Sequence, residues 1–124
     1  MQNLCRLCTI ALLLTGNALC QIGGSAALTG DVLDPTGSAV ANATVSTVQL
    51  GTDVERSAAT NENGEFRVSS LPPATYRVTV EAAGFKTYVQ EVTLLAVQIG
   101  NLPVHLQLGQ AQETVTVEAT STLV

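Results

Sequence analysis

The chemistry-bearing residues of this chain are few. There is one histidine, His105, and no tryptophan. Three cysteines stand at positions 5, 8 and 20. A catalytic serine needs a base and an orienting acid beside it, and His105 is the one imidazole base. It falls in the stretch Val104-His105-Leu106, on the face opposite its apolar neighbours, where an exposed surface histidine is the simpler reading. No G-x-S-x-G elbow, phosphate-binding loop or dinucleotide-binding glycine run occurs. Cys5-x-x-Cys8 has the spacing of a redox or zinc motif, but no second cysteine pair or histidine cluster follows it. Asp31 and Asp34 flank a strand end, yet that turn lacks the dense oxygen ligands of a calcium loop. Paired carboxylates for glycoside hydrolysis would need a cleft, which a domain this small rarely supplies. Asn42-Ala43-Thr44 fits an N-glycosylation triplet. Sugars stack on exposed rings, and Tyr88 is the one aromatic open to that role, although a core or rim tyrosine is the simpler reading. Phe66, Tyr76 and Phe85 read as core. The expectation is a chain with no catalytic residues, no cofactor and no metal, and with Tyr88 as its candidate ligand contact.

Composition supports that reading. In 124 residues only 12% are charged, 46% are hydrophobic and 3% are aromatic. A charged fraction near 25% is usual for soluble domains. The formal net charge is −5, from 10 acidic and 5 basic residues. Nucleic-acid binding needs clustered Lys and Arg, so this balance argues against such a partner and none is expected.

The first twenty residues read as a secretory signal peptide. Arg6 supplies the positive charge, Leu7–Leu14 is a short apolar run, and small residues precede Gln21. The run falls well below the ~20 residues of a membrane span. Cleavage after Cys20 places Ala18 and Cys20 at the small-residue positions, and cleavage after Ala18 is the alternative. A lipid-modified Cys20 is disfavoured by the bulk of Leu19. All three cysteines leave with the leader. Removing Arg6 leaves four basic residues against ten acidic, and no disulfide for an oxidising compartment.

The remainder alternates. After a lead-in over 21–25, Ala27–Leu33, Ala43–Val48, Glu65–Ser69, Tyr76–Val80 and Val104–Leu108 have the two-residue period of strands, and Tyr88–Ala96 is another strand pair or one bent strand. Val54–Thr60 reads as an edge strand. Turns stand between them at Asp34-Pro35-Thr36-Gly37, Gly51-Thr52-Asp53, Asn61-Glu62-Asn63-Gly64, Leu71-Pro72-Pro73-Ala74 and Ala83–Lys86. Asn63-Gly64 suits a hairpin with positive φ. No window keeps a helical period. Short strands with turn signals every 8–12 residues predict a sandwich of two antiparallel sheets. About 104 residues bury roughly 65% of their unfolded surface, enough for one core. The expected inward set is Leu28, Val32, Val45, Val48, Phe66, Val68, Tyr76, Val78, Val80, Phe85, Val92, Leu94, Val104, Leu106 and Leu108. Residues 109–124 form either a last strand or a linker.

These pieces resemble a known family. Gly30-Asp31-Val32-Leu33-Asp34-Pro35-Thr36-Gly37 resembles the opening G-x-V-x-D-x-x-G of carboxypeptidase regulatory-like domains. Ala43-Thr44-Val45 is similar to their A-x-V strand. Thr60 to Phe66 resembles T-[DN]-x-x-G-x-[FY], Leu71 to Val78 resembles L-P-x-G-x-Y-x-V, and Gly84-Phe85-Lys86 follows as G-[FY]-x. Order and spacing agree across residues 26–108. The resemblance implies an all-β, seven-stranded antiparallel Greek-key sandwich of the transthyretin-like, carbohydrate-binding-like kind. Leu106-x-Leu108-Gly109 followed by Glu113-Thr114-Val115-Thr116-Val117 resembles the N-terminal extension of bacterial TonB-dependent outer-membrane receptors. That implies export to the periplasm, outer membrane or cell surface, with a plug region starting after 109–124. It implies a structural or interaction role with an envelope protein or a glycan as partner, and membrane association only through a barrel or that partner. Ala74 stands where the family has Gly, which costs on the order of 1 kcal/mol if that turn needs positive φ.

Overall fold

The computed structural model describes residues 24–110 and 112–122, so the signal-peptide reading of 1–20 and most of the lead-in lie outside the described residues. Among the described residues nine strands follow one another without a helix. They are β1 Ala26–Leu33, β2 Thr44–Gln49, β3 Glu55–Ala59, β4 Glu65–Leu71, β5 Ala74–Glu81, β6 Thr87–Leu94, β7 Ile99–Asn101, β8 Val104–His105 and β9 Thr114–Thr122. The small sheet has the order β4-β1-β7, with β8 also on β1; the large sheet runs β3-β2-β5-β6-β9. Their inner faces supply one shared core. Leu28, Val32, Phe66, Val68 and Leu71 face Val45, Tyr76, Val78, Val80, Val92 and Leu94, all buried. The alternation read from the sequence is what sorts these residues to one side of each sheet.

The architecture is the expected all-β sandwich, with two differences. There are nine strands, and the sheets are mixed. β1 pairs in parallel with β7 and β8, and β6 pairs in parallel with β9. Parallel neighbours need long connections that cross between sheets, and such pairings leave no local hairpin signal. Thr114–Thr122 is thus a strand and not a linker, and it closes one edge of the large sheet. The charged, polar Glu55–Ala59 forms the opposite edge, as its composition indicated.

The inward set holds at all but three positions. Val48 sits an odd number of residues from buried Val45, so it turns to the outer face beside Glu55 and Arg77. Phe85 is half-buried and packs against the core rim. Leu108 is 68% exposed. After Leu106 the chain crosses to the large sheet, where Leu108 bridges Phe85, so the parity set by Val104 no longer points to the core. Val40, Ala43 and Leu102, outside the strands, complete the core.

The turns show why each motif has its residue types. Asp34 Oδ1 accepts from the Thr36 and Ser38 amides, each at 2.9 Å, and from Thr36 Oγ1 at 2.6 Å. Asn61 Oδ1 accepts from the amides of Asn63 and Glu65 at 2.9 and 3.0 Å. Gly64 then takes φ +74°, and a Cβ there would stand 2.7 Å from the Val32 carbonyl oxygen. Ala74 needs no left-handed backbone; the positive φ in this region falls at Ser70, beside a bulge between β4 and β1. The family glycine position is therefore an ordinary strand start here, and alanine fits it.

Candidate functional site

The expected contact residue, Tyr88, is not a platform. Its side chain points inward from β6 and is 8% exposed. Its hydroxyl donates to Gln90 Oε1, and burial pushes the phenol above its ordinary value. Val80 lies opposite it on β5 and Val115 on β9. The parallel strand β9 covers this side of the sheet, which the sequence pattern of β6 alone does not reveal. Tyr76 is buried too, its hydroxyl bound to the Pro72 carbonyl.

His105 is exposed on β8, and neither salt bridge of the described residues involves it. Asp34 is committed to its turn, whose hydrogen bonds from Thr36 and Ser38 hold the carboxyl below its ordinary range. Among the described residues no three His, Cys, Asp or Glu side chains gather to hold a metal. None of the described helices could cross a membrane, because there are none; this says nothing of β-barrels.

What the fold does build is a concave outer face on the small sheet. A groove of about 510 Å³ is lined by Thr29, Asp31, Asn61, Glu65, Arg67 and Asn101. These are alternate residues of β1, β4 and β7, with Asn61 brought over them by the β3–β4 turn. Thr29 lies opposite Arg67, and Asp31 opposite Glu65. Asn101 flanks Thr29 on the other side. Asn61 Nδ2 donates to Glu65 Oε2 at 3.2 Å, and Arg67 Nε donates to Ser69 Oγ at 3.0 Å. A second hollow, of about 290 Å³, adjoins it past Arg67 and is bordered by Ala27, Ser70, Val97 and Ile99. The surface offers amides, hydroxyls, carboxylates and one guanidinium, with no nucleophile poised beside a base. The sequence motifs contain most of these residues, but their shared face depends on β1 pairing with both β4 and β7.

The described structure defines a small β-sandwich module with a polar, concave outer face on its small sheet. The sequence profile of the carboxypeptidase regulatory-like domain matches residues 27–108. The chain belongs to that family, which is a regulatory domain. The comparison with curated proteins gives no match. Among solved structures, hydroxyquinol 1,2-dioxygenase from Pseudomonas putida DLL-E4 superposes with a TM-score of 0.59 at 11% identity, over 70% of this chain and 57% of that one. The Bacillus anthracis TIE protein gives 0.59 at 15% identity, over 68% and 17%. A streptococcal ancillary pilin gives 0.56 at 21% identity, over 67% and 32%. The chain thus spans less than two thirds of each of these proteins. Likeness at such identities is a likeness of fold.

Proposed function

We propose that this chain is a non-catalytic, exported module that acts as a spacer and interaction domain at the bacterial cell envelope. The observation that carries the reading is a family sandwich whose small sheet presents a polar concave face, with no nucleophile set beside a base among the described residues of that face. The leader-like residues 1–20 favour export, and the fold recurs in a streptococcal pilin and in the anthrax TIE protein. The Leu106 to Val117 segment favours an origin as the N-terminal extension of a TonB-dependent receptor. In that setting β9 carries the chain out of the sandwich along the edge of the large sheet.

Expression of the chain in a Gram-negative host tests export. The expected periplasmic product begins at Gln21 by mass spectrometry, or at Leu19. An uncut chain retained in the cytoplasm overturns the reading. A carbohydrate ligand is the second reading, favoured by the two amides and the hydroxyl in the groove. It predicts that titration with neutral oligosaccharides gives binding that Asn61→Ala or Asn101→Ala removes.

A further inference from the structure

We infer that the outer face of the small sheet is a trough for one extended peptide segment of a protein partner, carrying a Lys or Arg four residues from an aliphatic side chain. This rests on the reading of the chain as an interaction module.

The face is laid out in three rungs. Ile99 stands beside Ala27, and Asn101 beside Thr29. Thr29 faces Arg67, and Asp31 faces Glu65. One end is apolar. Val97 is 77% exposed and Ile99 59% exposed, beside a hollow that Ala27 also lines. Val97 holds φ +61°, a backbone that β-branched residues avoid. The other end is acidic. Like charges directly opposite one another on neighbouring strands oppose pairing. Among the described residues Asp31 has no ion-pair partner; the two salt bridges, Arg77–Glu91 and Lys86–Glu113, lie elsewhere. Arg67 donates its Nε to Ser69 and does not bridge the two carboxylates.

Charge complementarity therefore calls for a cation between Asp31 and Glu65. Two carboxylates are too few for a metal cage, while one ammonium or guanidinium matches them. The apolar end calls for an aliphatic group from the same ligand. Ala27 and Asp31 are four residues apart on one strand, about 13 Å. An extended peptide has the same rise and alternates its faces, so two side chains reach both ends when they too are four apart.

The test uses end-blocked, fluorescein-labelled peptides in a Ser/Thr background. Each carries one Leu and one Lys, separated by two to six positions, and is titrated against the purified chain. Affinity is expected to peak at a separation of four, about fivefold above separations of three and five. It should weaken between 50 and 500 mM salt. Asp31→Asn with Glu65→Gln should abolish the peak while thermal unfolding shows an intact fold. A flat spacing profile, absent binding, or a peak indifferent to the acid-neutral variant overturns the trough. Peptide binding that maps to another surface overturns the trough and leaves the interaction-module reading standing.

Discussion

The hydroxyl of Tyr88 donates to Gln90 Oε1, two residues further along the same inward face of β6. Both side chains are buried beneath the strand pairing of β6 with β9. A polar pair enclosed this way is a packing device, and its loss acts on the whole sandwich.

Tyr88→Phe is expected to cost about 0.5–1.5 kcal/mol, the net worth of one hydrogen bond. Tyr88→Ala should cost about 3–5 kcal/mol, because it empties a ring-sized space. Urea unfolding measures both. The alkaline limb gives an independent check. Burial raises the phenol above its ordinary 10.0. Its neutral form is favoured in the fold, so the contribution is complete below that value and is lost as pH rises through the raised one. Tyr88→Phe should flatten this limb, leaving a remainder from Tyr76, which is shifted upward by burial as well.

Thr60 joins two segments through one buried hydroxyl. Its Oγ1 donates to the Val40 carbonyl at 2.6 Å and accepts from the Ala43 amide at 2.9 Å. Thr60→Val keeps the shape and strands both backbone groups. At about 1–3 kcal/mol for an unsatisfied buried group, calorimetry should show one of the larger losses of any isosteric change in this chain.

Gly64→Ala tests the hairpin glycine. The new Cβ would meet the Val32 carbonyl oxygen at 2.7 Å in a left-handed backbone. The loss is expected to exceed the ~1–2 kcal/mol of the backbone conformation alone. Its Tm should fall well below that of Gly37→Ala, where φ is +84° but nothing lies near the added carbon.

The turn at Val97 makes the opposite prediction. Val97→Gly relieves the left-handed strain of about 1–3 kcal/mol and gives back roughly 0.5–1 kcal/mol in chain entropy. Denaturant midpoints should therefore hold or rise slightly. Peptide affinity for the trough should fall, since the exposed isopropyl group goes with the strain.

The legible part of this protein is its local chemistry. Asp34, Asn61 and Gly64 announce their turns because each turn needs a short acceptor or a positive φ within a few residues. Phe66, Tyr76 and Val78 announce their burial because strand alternation fixes their side. What escapes is everything set by distant pairing. Tyr88 stays open between a rim platform and the core until β9 arrives in parallel beside β6. Leu108 reads as buried until the crossing after Leu106 changes which sheet it belongs to. Asp31 and Glu65 reveal no relationship along the chain, since only the β1–β4 register brings them face to face. Val97 gives no sign of its backbone, because valine is the wrong residue for it.

The last strand is secured by a contact that titrates. Lys86 Nζ lies 3.1 Å from Glu113 Oε2, directly before β9. The Glu113 carbonyl accepts from the Thr87 amide at 2.8 Å. The stem of Lys86 rests on Gly109, where a Cβ would approach its Cγ to 2.5 Å. A hydrogen bond from Lys86, one from the Gln110 backbone and the lysine's charge hold the Glu113 carboxyl below its ordinary 4.5. A depressed acid stabilises the fold above its unfolded value, and that contribution is lost as pH falls through the folded one. Acidification from pH 5 through the carboxylate range should therefore loosen the start of β9 before the core. Amide resonances of Thr114–Thr116 should shift in that window. Asp34 titrates there too, but its effect belongs to the turn at 34–38. Lys86→Met keeps the apolar stem over Gly109 and removes the charge. It should weaken the acid response at Thr114–Thr116 and leave the response at Ser38 unchanged. An unaltered β9 response in Lys86→Met would mean that strand pairing alone holds β9 in place.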